Sequence, residues 1–406
     1  MMYQAIQKCR ISQKKDLVSV GKLSGMSLTG TFLKERNQKI PYLPFEIVYS
    51  KSSMLLQLKH NYNPKLLYGD NYGYKSSLNP VMINHLKRKF LFLKKKVKFK
   101  KEQCVLDIGS NDGTFLNFFE GHNLFGIDPT IKKFDKNYRR KINKIPFVFE
   151  KGYNFIKKKK FKLITAIAMF YDLKNPVSFM KKIKTILDED GIFHIEVAYL
   201  PEIIKTFSYD GFCQEHYEYY SLLSLNYLCK KTDMRIDDFG FNKINGGSIW
   251  LNLTHNRSSN KIKNFKLKKQ INYEIKEKIN KEETYKIFFS KAFRHAEKIN
   301  SIVKKLKKTR KRVYGLGAST KGNVLLQMAK IDRNLLDGIF DVNRDKFNKF
   351  TPHTKIKILD EKKIKDRKVD FILLLIWHFK GFVVKKIKKF NKKIKIIVPF
   401  PKIKII

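Results

Sequence analysis

The segment Val105-Leu106-Asp107-Ile108-Gly109-Ser110-Asn111-Asp112-Gly113-Thr114-Phe115-Leu116 constrains this chain more than any other. An apolar run that stops at glycine is how a buried parallel strand enters a loop, and the residues from Gly109 onward read as a glycine turn and the start of a helix. Gly109 and Gly113 permit the tight turn and leave bare backbone for a ligand to lie against. Nineteen residues beyond Gly109, Gly126-Ile127-Asp128-Pro129 ends the next apolar run with an acid able to accept hydrogen bonds from both ribose hydroxyls of an adenosine ligand. Together these features predict an α/β domain with a nucleoside pocket at the carboxyl ends of its strands.

Asp107 lies within the end of the first strand, and Asn111 replaces the glycine that would face a pyrophosphate. Both favour S-adenosylmethionine over a dinucleotide, with Gly109, Ser110, Asn111 and Gly113 forming the loop around it. Met169 and Phe170, after the strand Leu163–Ala168, would bracket the methionine and adenine parts, although plain core packing explains them equally well. Ile192–Val197 supplies a further strand, and strands alternate with helix-length segments as in a doubly wound sheet.

A chain of 406 residues exceeds one hydrophobic core. Residues 1–80, rich in Tyr, Ser, Gly and Asn, read as a small, loop-heavy module, and residues 81–256 as the cofactor domain, entered through a basic helical stretch. Residues 257–310 read as a helical linker, with Tyr285, Phe288, Phe289 and Phe293 on one face. Residues 311–406 repeat the architecture: Arg312-Val313-Tyr314-Gly315, Leu336–Asp341, Phe371–Trp377 and Ile394–Val398 are the strand candidates of a second Rossmann-like domain.

The formal charge of +50 invites a nucleic-acid or membrane-surface function. The excess is mostly Lys spread along the whole chain beside Asn, Ile and Phe, which is a bias in residue usage rather than a binding face, and runs such as Lys157–Lys160 are solvated surface. A nucleic-acid protein would place stacking platforms along a basic groove. Cys9, Cys104, Cys213 and Cys229 form no CxxC pair, so neither a disulfide framework nor a complete zinc site is legible, and a reducing cytoplasm is expected. No apolar run is long enough to span a bilayer.

Past the cofactor strands, Phe212-Cys213-Gln214-Glu215-His216-Tyr217-Glu218-Tyr219-Tyr220-Ser221 sets a Glu-His pair among aromatic residues. His216 has the chemistry of a general base, which a neighbouring carboxylate such as Glu215 or Glu218 can orient. Asn245-Gly246-Gly247-Ser248 precedes a strand and is either a hairpin turn or a set of backbone donors to substrate. Gly315-Leu316-Gly317-Ala318-Ser319-Thr320-Lys321-Gly322-Asn323 makes a phosphate-tolerant turn, with Lys321 and a helix N-terminus supplying positive potential.

These segments, with Asp341–Lys346 and Pro352-His353, resemble the sugar C-methyltransferases that act on nucleotide-activated 4-keto deoxysugars. That resemblance implies an N-terminal zinc-binding-type module, a central class I methyltransferase domain and a C-terminal Rossmann-like domain that packs against the sugar site. It implies that His216 removes the proton alpha to the ketone and that Glu215 supports it or the enolate. It also implies that Tyr74 reaches the sugar, and that Asn245, Gly246, Gly247, Lys321, Asn323 and His353 bound the substrate. Two departures stand out. Of the four cysteines that would hold zinc only Cys9 remains, with Ser12 and Lys51-Ser52-Ser53 where partners are expected, so zinc binding is expected to be lost. Cys213 replaces a tyrosine of some members. Methylation of a hydroxyl or amine on another saccharide or small molecule, and a catalytically silent relative, are the competing expectations; the oligomeric state stays open.

Overall fold

The computed structural model describes residues 1–67, 75–257 and 264–406. At its centre is a seven-stranded sheet in the order Met234–Asn242, Ser248–His255, Leu187–Ala198, Phe161–Ile167, Cys104–Ile108, Asn123–Ile127, Ile142–Ile145. The last five run parallel, and the first two add an antiparallel edge through the turn that contains Asn245-Gly246-Gly247. Strand order reverses between Cys104–Ile108 and Phe161–Ile167, the position at which doubly wound sheets hold ligands. Every expected strand of this domain is present. The expected helix after Gly113 is not: the loop closes into a single 3-10 turn, Leu116–Phe118. Only Thr114 to His122 separate the turn from the next strand, which leaves little chain for both a helix and a return loop, and Phe115, Leu116 and Phe119 are all buried there.

The N-terminal module is more regular than its composition suggests. Leu17–Ser27, Tyr42–Ser50 and Leu56–Leu58 form an antiparallel sheet whose fourth strand is Glu218–Tyr219, from the Glu-His segment. Two register shifts in the pairing of Leu17–Ser27 with Tyr42–Ser50, at Ser19/Gly21 and Leu23/Met26, break the period-two pattern that would have announced it.

The C-terminal sheet runs Ile358–Asp360, Ile339–Asp341, Val313–Leu316, Phe371–Leu374, Lys395–Val398, Lys404–Ile405, parallel except for the final strand. The linker is two helices, Asn264–Lys276 and Glu282–Lys308. The longer one is a packing element: Tyr285, Phe288, Phe289, Ala292, Ala296, Ile299 and Val303 are buried in a core shared by the N-terminal module and the C-terminal sheet. Burial of each large side chain contributes roughly 1.5–3 kcal/mol. Gly21 makes that approach possible, because a Cβ there would lie 2.5 Å from the Phe289 ring.

Candidate active site

A cavity of about 490 Å³ opens at the carboxyl ends of the strands Cys104–Ile108, Asn123–Ile127 and Phe161–Ile167. Its floor is the glycine loop. Gly109 takes φ +74°, a left-handed conformation that glycine adopts without strain, and a Cβ there would meet Met169 Cγ at 2.8 Å. Gly113, at φ +75°, supports the loop from behind against Tyr138. The Tyr138 hydroxyl pairs with Ser110 Oγ and donates to the Asn111 carbonyl, each at 2.8 Å.

Asp128 organises the loop as well as facing the cavity. Its Oδ2 accepts from the Asn111 N–H at 3.0 Å, while Oδ1 accepts from the Thr130 N–H at 2.7 Å and the Thr130 hydroxyl at 2.5 Å. Burial raises its carboxyl above the usual range. Asp107, also lining the cavity, is pushed up to about 7, chiefly by burial, against the Thr165 hydroxyl that donates to it at 2.6 Å and with the Asp128 charge adding to the rise. A cationic ligand would favour its ionised form. The residues before the helix Pro80–Lys96 tie down to the loop, Ser76 N–H on Asn111 Oδ1 and Ser77 N–H on Asp112 Oδ2, both at 3.0 Å. Met82 and Leu86 of that helix reach the cavity.

Met169 lines the cavity, whereas Phe170 turns into the core against Phe179, Phe193 and Tyr220. The other wall comes from residues that sequence reasoning did not single out: Phe147, Val148 and Glu150, following the strand Ile142–Ile145, and Tyr217. The apolar pair Phe147-Val148 just past the strand Ile142–Ile145 was the available signal.

The Glu-His segment runs along the N-terminal module. The Gln214 amide donates to the Met26 carbonyl at 2.9 Å, and the Tyr217 hydroxyl donates to the Tyr62 carbonyl at 3.0 Å. Glu215 is held there too: Oε1 accepts from the Gly30 N–H at 3.0 Å and Oε2 from the Thr29 hydroxyl at 3.2 Å. Its carboxylate is directed at the N-terminal module, and burial raises its pKa. His216, next to cavity-lining Tyr217, packs its ring 4.3 Å from that of Tyr171 and hydrogen-bonds the Gly211 carbonyl. Its imidazole is pushed down to about 4, first by burial and then by the Lys321 ammonium. A neutral ring that donates one N–H to a carbonyl keeps its other nitrogen as a proton acceptor. Cys213 is buried, its thiol raised well above the usual value by burial and by Glu215, so it offers neither acid nor base.

The C-terminal glycine loop arrives at the same corner. Lys321 Nζ donates to the Asn245 carbonyl at 2.7 Å, and Lys321 also acts electrostatically on Asp210 and His378. Gly246 and Gly247 complete that turn. Asn323 points elsewhere, its amide donating to the Thr29 carbonyl at 2.7 Å. His353 stacks on Tyr42 at 4.8 Å, fastening the C-terminal domain to the N-terminal module. Tyr74 lies outside the described residues.

Residues 82–238 match a family model described as a methyltransferase domain, and residues 243–401 one described as the C-methyltransferase C-terminal domain. The C-methyltransferase NovU of Streptomyces niveus is 25% identical over 409 residues, covering 99% of this chain and 97% of that protein. The chain belongs to the S-adenosylmethionine-dependent C-methyltransferases. A shorter likeness links this C-methyltransferase to the tRNA U34 carboxymethyltransferase of Campylobacter lari, 27% identical over 125 residues, covering 28% of this chain and 42% of that one. The structure of the plantazolicin methyltransferase BpumL, solved with SAH, superposes with a TM-score of 0.32 at 14% identity, over 44% of this chain and 86% of that one.

The cavity suits S-adenosylmethionine: an acid at the second strand's end for ribose, a buried acid of raised pKa for a cation, and bare backbone at Gly109. Among the described residues no group of three or more His, Cys, Asp or Glu could hold a metal ion, and no helix is long and apolar enough to cross a membrane.

Proposed function

We propose that this enzyme methylates the carbon alpha to the ketone of a nucleotide-linked 4-keto deoxysugar, with His216 as the general base. The observation that carries the reading is an imidazole held neutral, first by burial and then by the field of the Lys321 ammonium, one residue from cavity-lining Tyr217. Asp107, Gly109, Ser110, Asn111, Asp128 and Met169 would hold the cofactor, with Gly113 shaping the loop. When bound, S-adenosylmethionine supplies an electrophilic methyl group.

His216 accepts the alpha proton, and the charge that develops on the ketone oxygen is stabilised by the Lys321 ammonium beside the Asn245-Gly246-Gly247 turn. The same ammonium suits the phosphates of a nucleotide handle. An anionic substrate paired with Lys321 would also cancel the field that depresses His216, so that the base strengthens as the substrate arrives. Glu215 acts one step back, by fixing the segment that carries His216 to Thr29 and Gly30. Holding the base and the methyl acceptor in one cleft supplies rate through orientation.

The test uses methyl-labelled S-adenosylmethionine with a panel of nucleotide-linked 4-keto sugars, total RNA and the His216→Ala variant. Label on a sugar carbon, absent with His216→Ala, is the expected result. Label on an oxygen or nitrogen, or in RNA, overturns the C-methylation reading. So does turnover of the keto sugars by His216→Ala at the wild-type rate.

A further inference from the structure

Two turns in the N-terminal module have the same build. In the first, the Cys9 N–H donates to the Lys14 carbonyl and the Gln13 N–H to the Cys9 carbonyl, with Gln13 at φ 65°. In the second, the Ser50 N–H donates to the Leu55 carbonyl and the Met54 N–H to the Ser50 carbonyl, with Met54 at φ 56°. Each turn therefore presents its first and fourth side chains alike: Cys9 and Ser12 from one, Ser50 and Ser53 from the other. The turns meet, with Cys9 Sγ 3.1 Å from Ser53 Oγ. Paired turns offering four side chains are the geometry of a tetrahedral metal corner, which requires anionic or imidazole ligands. Here three of the four are neutral hydroxyls.

Two of them, Ser53 and Ser50, instead form a chain of fixed direction, while the Ser12 hydroxyl accepts the Lys14 N–H at 3.2 Å. Ser53 donates to Ser50 at 2.9 Å, and Ser50 donates to the Asp16 carboxylate at 3.0 Å, which also accepts the Ser52 N–H at 2.6 Å. With both hydroxyl protons engaged, the Cys9 thiol is left to donate to Ser53. A metal at that corner would displace the thiol proton and every link of the chain, next to a second cation: Arg10, immediately after Cys9, is buried. Its guanidinium donates to the Leu58 carbonyl at 2.5 Å and to Asn61 Oδ1 at 2.6 Å, lies 5.1 Å from the Tyr217 ring, and stands 3.7 Å from Glu218 Oε1. The corner is thus the fixed end of a strut that reaches the strand beside His216.

We propose that Cys9, Ser12, Ser50 and Ser53 form a metal-free knot, in which the relay from the Cys9 thiol through Ser53 and Ser50 to Asp16 does the work that a bound zinc ion would do between two such turns. The full-length protein, purified from zinc-supplemented cells, should contain far less than one zinc per chain. Dialysis against EDTA should leave Tm and S-adenosylmethionine affinity unchanged. Stoichiometric zinc whose removal lowers Tm overturns the proposal. Ser53→Ala, which cuts the relay without creating a ligand, should lower Tm by several degrees, and an unchanged Tm overturns the relay. The triple substitution Ser12→Cys, Ser50→Cys and Ser53→Cys should take up one Co²⁺ per chain with thiolate charge-transfer absorption. If that variant folds and binds none, the four positions do not form the proposed corner; if it does not fold, the zinc and Ser53→Ala measurements decide.

Discussion

Lys321 Nζ donates to the carbonyl of Asn245 at 2.7 Å, so the glycine loop of the C-terminal domain is latched to the turn at the edge of the methyltransferase sheet. The latch sets a positive charge where it disfavours protonation of His216. Replacing the ammonium by a neutral side chain, Lys321→Met, should raise the His216 pKa above about 4, though not to its unburied value, since burial is the larger cause. Lys321→Arg should keep it low. Titration of the imidazole by NMR reads this without a substrate, and an identical titration in the Met variant would sink the idea.

Glu215 behaves as a fastener in this geometry. Its oxygens take the Gly30 N–H and the Thr29 hydroxyl, and truncation would strand a half-buried backbone donor and a buried hydroxyl. Glu215→Ala should therefore destabilise the protein by about 1–3 kcal/mol. Glu215→Gln, which keeps an acceptor, should cost much less and retain most of the turnover. Denaturant melts of both variants check the order; equal losses would mean that the charge, not the acceptor, matters.

Most of the fold was legible because its decisive strands are buried on both faces and read as mainly apolar runs, Val105–Ile108 and Leu163–Ala168 among them. The N-terminal sheet was not, because its register shifts and its borrowed strand Glu218–Tyr219 are settled by pairing across the chain. The cofactor loop could be read residue by residue, since glycine, acid and spacing carry its chemistry locally. Phe170 could not, because the choice between cavity and core depends on Phe179 and Tyr220, distant in sequence. The same holds for Asn323 and His353: polar residues near a glycine loop look like ligand contacts until Thr29 and Tyr42 arrive beside them.

Between the strand Leu187–Ala198 and the helix Pro80–Lys96, Glu196 accepts from His85 at 2.7 Å and pairs with Lys89 at 2.8 Å, all three buried. Burial alone would raise the Glu196 carboxyl, but His85 and Lys89 pull it down to about 2. A depressed carboxyl pKa stabilises the fold above the unfolded value, about 4.3, and that contribution is lost as pH falls through about 2. Glu196→Gln leaves the Lys89 ammonium buried without its counter-charge and should cost about 3–5 kcal/mol. The double variant Lys89→Met with Glu196→Leu should recover much of it. Calorimetric melts decide, and a mild effect of the single substitution would show that the ammonium escapes to water.

Asp107 gives the cofactor site its own pH dependence. With its carboxyl pushed up to about 7, the apo protein holds a proton there at pH values where the unfolded chain has released it. The native state then binds more protons than the unfolded one between about pH 4 and 7, so this group lowers apo stability as pH rises through that window. A cationic ligand reverses the preference, because it pairs with the ionised form. S-adenosylmethionine affinity should accordingly strengthen as pH rises, by up to about tenfold per unit below the apo pKa, and level off above about 7. Calorimetric binding in buffers of different ionisation heat should register proton release below that pH, and the Tm gain on adding cofactor should widen from about pH 5.5 to about pH 8. Asp107→Asn should bind weakly with no such slope. A flat affinity profile in the wild type, or proton uptake on binding, would place the cation elsewhere in the cavity.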